Sequence, residues 1–164
     1  MTAGTYASVK VLDHSAERIR EFVKKHRLPR SFEDRQPLHA TLIWSRRECP
    51  DMVPDIDRNY FATVEGYTVF FSEGKQRLVM LLKSPQLVER HKQLMREHNA
   101  TYDYPEYHPH VTIAYDIGTF PWWSLPKFEH DIWLGDENVR PGNDRKQVVR
   151  PRWKLIQKIL SEAA

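Results

Sequence analysis

Two histidines and two threonines carry the first chemical signal in this chain. His39-Ala40-Thr41 and His110-Val111-Thr112 each place a threonine two residues after a histidine. In an extended strand, residues two apart point the same way, so each motif presents an imidazole and a hydroxyl on one face. When two such strands face each other, two imidazoles and two hydroxyls converge on one cleft. A neutral histidine there takes a proton from an attacking hydroxyl, and a protonated one delivers a proton to a leaving oxygen. The ordinary histidine pKa of about 6.5 suits both roles. Threonine hydroxyls donate hydrogen bonds to non-bridging phosphate oxygens as charge builds there. The set therefore fits phosphodiester cleavage.

Bare motifs of this size are weak signals. Composition alone gives roughly 0.4 His-x-Thr matches in a chain with this many histidines and threonines, counting matches against a template. The longer context is stronger. His39-Ala-Thr-Leu-Ile-Trp44 and His110-Val-Thr-Ile-Ala-Tyr115 share the order histidine, apolar, threonine, aliphatic, apolar, aromatic.

The elements that must position these residues also repeat. Residues 5–11 (TYASVKV) alternate as a half-buried strand, with Ala7, Val9 and Val11 on one face and Tyr6, Ser8 and Lys10 on the other. Ser15 offers a helix N-cap; Ile19, Phe22, Val23 and His26 follow at helical spacing, and Pro29 ends the pattern. A polar loop leads to a strand at 38–44. Residues 60–64 and 67–71 read as two short strands joined by a Glu65-Gly66 hairpin turn. A strand at 77–83 precedes Ser84-Pro85, a cap followed by a first-turn proline. The helix then carries Leu87, Val88, His91, Leu94, Met95 and His98, and an aromatic loop leads into the strand at 110–115. A last strand is expected at 128–134, and Trp153, Ile156 and Leu160 stand at helical spacing in the tail. Strand, serine-capped helix, loop and strand thus occur twice, at roughly 5–44 and 77–115. This suggests an internal duplication within a single domain spanning 1–164, with the two motif strands related by a pseudo-twofold axis.

Composition narrows the function classes. Hydrophobic residues make up 40% of the 164 residues, enough for one packed core rather than disorder. The formal net charge is +3, which suits a phosphate-bearing ligand and is too small for a long nucleic-acid track. The single cysteine, Cys49, excludes an internal disulfide and points to a cytoplasmic protein. No apolar run approaches membrane-spanning length, and the first ten residues lack a signal-peptide pattern.

These motifs resemble the 2H phosphoesterase superfamily, whose signature is a pair of His-x-Thr/Ser motifs on facing strands. The stretches ATYDYPEYHPHVTIAYD (100–116), LHATLIWSR (38–46) and TYASVK (5–10) resemble, more narrowly, the phage anti-CBASS cyclic-oligonucleotide phosphodiesterases. The resemblance covers residues 5–134. It implies an α+β, bilobal fold in which two pseudo-symmetric, antiparallel-rich sheets flank a central cleft with helices outside. It implies no metal and no other cofactor, with His39, Thr41, His110 and Thr112 as the catalytic set. The substrate would be a cyclic di- or trinucleotide immune signal in the cytoplasm of the bacterial host. It also implies that Tyr6 stacks on a base and that Glu137 corresponds to an acidic residue contacting a base. The basic tail after Arg140 matches nothing in that pattern.

Several readings stay open at this level. His108 and His110 form His-x-His, a zinc-ligand spacing that His39 would complete, although the paired threonines would then have no role. Tyr6 either stacks on a base or packs on the sheet. Tyr104, Tyr107, Trp122 and Trp123 either stack on bases or wall the lobes together. Lys10, Arg46 and Lys75 are phosphate contacts or solvated cations, and His14, His26, His91, His98 and His130 read as surface or helix-face residues. An RNA-end 2′,3′-cyclic phosphodiesterase would share the same motifs. A non-catalytic nucleotide sponge would not need both intact.

Overall fold

The computed structural model describes residues 4–72 and 74–142. Alternating apolar residues build a strand β1 (Thr5–Val11) whose Ala7, Val9 and Val11 are buried. Helix α1 (Asp13–Lys25) follows and buries Ile19, Phe22 and Val23. Strand β2 (His39–Ser45) pairs antiparallel with β1. Then come β3 (Tyr60–Ser72), β4 (Lys75–Lys83), α2 (Pro85–His98), β5 (His110–Tyr115) and β6 (Ile132–Pro141). The strands form one six-stranded antiparallel sheet in the order β2-β1-β6-β3-β4-β5. The α+β class follows directly. The two expected sheets are its two halves, β2-β1-β6 and β3-β4-β5, joined because the first residues of β3 (Tyr60, Phe61, Ala62) pair with β6 and the rest pair with β4.

That junction corrects one expectation. Glu65-Gly66 is not a hairpin turn: β3 runs through it, and a register shift between Val64 and Gly66 bulges the strand where it passes from β6 to β4. A bulge bends and twists a strand without reversing it. The expected last strand likewise starts later, at Ile132, and extends to Pro141. The expected tail helix lies outside the described residues.

The two serines behave differently from each other. Ser84 caps α2 as expected, accepting from the Leu87 amide at 3.2 Å and donating to the Phe61 carbonyl of β3 at 2.7 Å. Ser15 is not the cap of α1, because the helix begins before it, after Leu12. Its hydroxyl instead accepts from the Trp133 amide of β6 at 2.8 Å. Each serine therefore ties its helix to the inner strand of its own half, and Phe61 and Trp133 are themselves cross-strand partners.

The main core lies between the helices and one face of the sheet. It joins Val9, Leu42, Leu78, Met80, Ile113 and Ile132 to Ile19, Phe22, Leu87 and Leu94. β2 and β5 stand at opposite edges of the sheet order, yet their backbones come within 8 Å of each other. The sheet is thus curled until its edges meet, and those edges are the two His-x-Thr strands.

Candidate active site

Register explains the six-residue pattern. His39 lies opposite Lys10 and Thr41 opposite Ser8; Leu42 has no partner, Ile43 faces Ala7, and Trp44 faces Tyr6. In the other half, His110 lies opposite Leu81 and Thr112 opposite Val79. Ile113 is skipped there, Ala114 faces Leu78, and Tyr115 faces Arg77. Both strands carry a bulge at the same place. Simple alternation would turn the sixth residue toward the core. The extra residue shifts the parity, so both strands bury their second, fourth and fifth residues and leave histidine, threonine and aromatic partly exposed. Two adjacent apolar residues in each motif are the sequence trace of that bulge.

The edge strands are held together by loops from the opposite halves. The loop after α1 docks on β5: the Tyr115 amide donates to the Arg30 carbonyl at 3.0 Å, and Ser31 bridges to Ala114. The loop after α2 docks on β2. Tyr107 donates its hydroxyl to the Thr41 carbonyl at 2.7 Å, and the Arg46 amide donates to the Thr101 hydroxyl at 2.8 Å. His91 of α2 donates from Nδ1 to the carbonyl of Leu42, the bulged residue, at 2.6 Å, and its ring stacks on Tyr107 at 4.2 Å. His91 is therefore buried structure rather than a surface residue, and burial pushes its pKa below the ordinary value. A bulge leaves backbone polar groups outside the ladder, and buried ones need partners; here His91 and Tyr107 supply them.

Both motif histidines are fixed in the same way. His39 Nδ1 is 2.9 Å from the Pro37 carbonyl, and His110 Nδ1 is 2.9 Å from the His108 carbonyl. A carbonyl only accepts, so each Nδ1 carries the hydrogen and Nε2 is the nitrogen that exchanges protons with a substrate. His39 is pushed below its ordinary pKa chiefly by burial among protein atoms. The Pro37 bond opposes that effect, and the Arg140 and Arg77 guanidiniums add to it. At neutral pH His39 is thus a neutral imidazole with a basic Nε2. Thr41 Oγ1 is 3.0 Å from the Tyr6 hydroxyl, which couples the first strand to the motif. The His110 ring is met edge-on by Phe70, at 4.9 Å and 86°.

The remaining expected site residues divide. Lys10 is exposed directly opposite His39. Tyr6 lies opposite Trp44, with the Arg140 guanidinium 4.8 Å over its ring. Tyr107 walls the seam: its hydroxyl is committed to Thr41, and burial keeps the phenol protonated by pushing its pKa well above the ordinary range. Glu137 is a correction. Its carboxylate is fully buried, bonded to Arg90 at 2.9 Å and to the Tyr60 hydroxyl, and it accepts from the Asp55 amide at 3.3 Å. A register shift around Asp136, which takes φ 49°, turns Glu137 away from the cleft and sets exposed Asn138 opposite Ser8. Glu137 is thus a buried structural anion, with no carboxylate surface exposed to meet a base.

Arg46 pairs with Asp103 at 2.8 Å. Arg77 and Arg140, which bear on His39, carried no functional reading in the sequence. Their signal was register: one falls opposite Tyr115, the other opposite Tyr6. Among the described residues, no three His, Cys, Asp or Glu side chains converge as a metal ion would require. His108 instead faces Glu106, with Nε2 3.2 Å from the carboxylate. No helix among the described residues is long and apolar enough to cross a membrane.

A protein-family model described as "Anti-CBASS protein Acb1" matches residues 3–148. An anti-CBASS protein Acb1 of Vibrio phage KVP40 is 33% identical over 139 residues, 84% of this chain and 87% of its own length. One from Acinetobacter phage Ac42 is 37% identical over 124 residues, 76% and 79% of the two chains. Among solved structures, E. coli LigT in its apo form shares the fold with a TM-score of 0.54 at 16% identity, over 90% of this chain and 94% of that one.

Proposed function

This chain belongs to the anti-CBASS protein Acb1 family, and from that premise we propose that it is a metal-independent phosphodiesterase cutting 3′–5′ linkages of cyclic di- and trinucleotides. The observation that carries the reading is the matched pair of histidines on the two meeting edge strands. Each is anchored through Nδ1 to the carbonyl two residues before it, and each has a threonine two residues after it. His39, held neutral, takes the proton from the ribose 2′-hydroxyl beside the scissile phosphate. That oxygen attacks phosphorus, the bond to the 5′-oxygen breaks, and His110 supplies the proton the leaving oxygen needs. A neighbouring hydroxyl is favoured over water because it is already in place. Thr41 and Thr112 donate to the phosphate oxygens as negative charge grows. The product is a 2′,3′-cyclic phosphate. Water then opens it with the two histidines in exchanged roles, leaving a terminal phosphate.

The place of action in this reading is the bacterial host cytoplasm, where the signal circulates. Family membership favours a cyclic-nucleotide substrate over an RNA end, and two intact His-x-Thr motifs favour catalysis over capture. The test is incubation with a cyclic dinucleotide in EDTA, beside an analogue lacking the 2′-hydroxyl at the scissile linkage. The ribose compound is expected to be cut and the deoxy analogue to bind uncut. Comparable cleavage of both would overturn the mechanism. Binding of the ribose compound without cleavage would leave a sponge, and cutting only of RNA 2′,3′-cyclic ends would give the RNA-end enzyme.

A further inference from the structure

The two walls of the cleft differ in chemistry. Aligning the halves by their motif registers makes β1 equivalent to β4 and β6 equivalent to β3. Beside the first motif stand Ser8 and Lys10, with Asn138 and Arg140 on the next strand over. The corresponding positions beside the second motif are Val79 and Leu81, with Thr68 and Phe70 on the next strand. Around the histidines, polar and cationic residues on one wall are thus answered mainly by apolar ones on the other; the exception is Arg77, which stands where the first wall has Tyr6. Val79 and Leu81 form a small apolar cluster separate from the main core, with half-buried Phe70 and Tyr104 packed on it. Leu78, Met80 and Leu82, the residues between and beside them, enter the main core on the opposite face of the sheet. A second apolar cluster on the motif face of a sheet, edged by two part-exposed rings, is not needed to hold the helices.

We propose that Phe70 and Tyr104, seated on Val79 and Leu81 beside His110, form a stacking subsite for the nucleobase of the leaving nucleoside. The assignment rests on the reading of His110 as the group that protonates the leaving oxygen, which puts that nucleoside on the His110 side. Aromatic faces bind any base, because every base has a π-face. Aside from the Tyr104 hydroxyl, these four side chains have no polar atom with which to read a base edge. The opposite wall carries hydroxyl, amide, ammonium and guanidinium groups within the same span of strand. The subsite itself therefore accepts purines and pyrimidines alike, and base discrimination falls to polar groups outside it, chiefly on the His39 side.

The test uses Phe70→Leu, which keeps an apolar side chain at the site and removes the stacking face. Affinity is read with a 2′-deoxy cyclic dinucleotide that is not cut. Loss of one base–aromatic stack raises Kd about 5- to 150-fold. Turnover is read with a linear dinucleotide and with a nucleoside 3′-(methyl phosphate), whose leaving group has no base. Because Phe70 also meets the His110 ring edge-on, both substrates lose some turnover; the variant is expected to raise KM for the dinucleotide severalfold more than it changes kcat/KM for the methyl ester. Exchanging purine for pyrimidine in the leaving nucleoside is expected to change wild-type KM little. An unchanged Kd overturns the proposal. So does an equal loss of kcat/KM on both substrates, which would mean that Phe70 only positions His110. If Phe70→Leu fails to fold, Tyr104→Leu on the loop carries the same comparison. Binding of the deoxy analogue by wild type, weakened in the variant but with no substrate cut, would refute the enzymatic reading and with it the leaving-nucleoside assignment, leaving only a base-stacking site.

Discussion

Removing the buried Glu137 carboxylate has a calculable effect. The carboxylate is fully buried and the Arg90 side chain is 7% exposed. Two nitrogens of Arg90, the Tyr60 hydroxyl and the Asp55 amide all direct hydrogen bonds to it. Glu137→Ala strands a buried guanidinium without its counter-ion. Breaking a buried pair from one side costs about 3–5 kcal/mol. For a chain of this length, 1 kcal/mol moves the melting temperature by about 2–4 °C, so the drop is about 6–20 °C. Replacing both partners, as in Arg90→Met/Glu137→Met, removes the stranded charge and is expected to recover most of the loss. The assay is thermal unfolding by circular dichroism, paired with steady-state kinetics well below the transition. KM is expected to hold, because the carboxylate points away from the cleft. A melting temperature within about 2 °C of wild type, well short of that drop, together with a raised KM would refute the reasoning and restore Glu137 as a base contact.

Other outcomes follow from the site. His39→Ala and His110→Ala are each expected to lower kcat by about 10²- to 10⁴-fold, with the double variant little worse because the pair acts as a unit; near-normal turnover in either single variant would dismiss the assignment. Thr41→Ala and Thr112→Ala should cost less, roughly 10- to 10³-fold, as one donor to the developing charge is lost. The rate should follow a bell in pH that belongs to the coupled histidines. Arg77→Gln removes a cation that helps keep His39 neutral, so the His39 pKa rises and the ascending limb moves to higher pH; a limb that stays put would exclude that contact. Stability carries its own pH signature. His91 and His39 have native pKa values below the unfolded value of about 6.5, so the unfolded chain binds more protons between the two. Denaturant midpoints should therefore fall as pH drops below about 6.5 toward the lowered native values, and His91→Gln should flatten that slope.

Much of the site was legible because its signals are local. A His-x-Thr pair fixes two side chains on one strand face whatever the strand pairs with, and Ser84-Pro85 sets a helix start by its own chemistry. What escaped depended on partners far along the chain. Gly66 resembles a turn residue, but β3 must continue past it to reach β6 at one end and β4 at the other, and β6 comes some 70 positions later. Ser15 does bind an orphan amide, only that of Trp133 rather than of its own helix. Glu137 was placed by resemblance alone, and the alternation of β6 breaks at Asp136, where one left-handed residue changes which neighbours face inward. The roles of His91, Arg77 and Arg140 depend on the curl that brings the sheet edges together, and nothing in a short window of sequence encodes that curl.

Exposed strand edges invite pairing with other chains, and here both edges are already engaged. Tyr107 on one side, Arg30 and Ser31 on the other, bond backbone groups of β2 and β5 that a foreign strand would otherwise seek, and Thr101 holds the Arg46 amide just past the end of β2. The loops that align the histidines are thus also the guards against self-association. Shortening either loop should send the protein into aggregates at concentrations where the intact chain stays in solution.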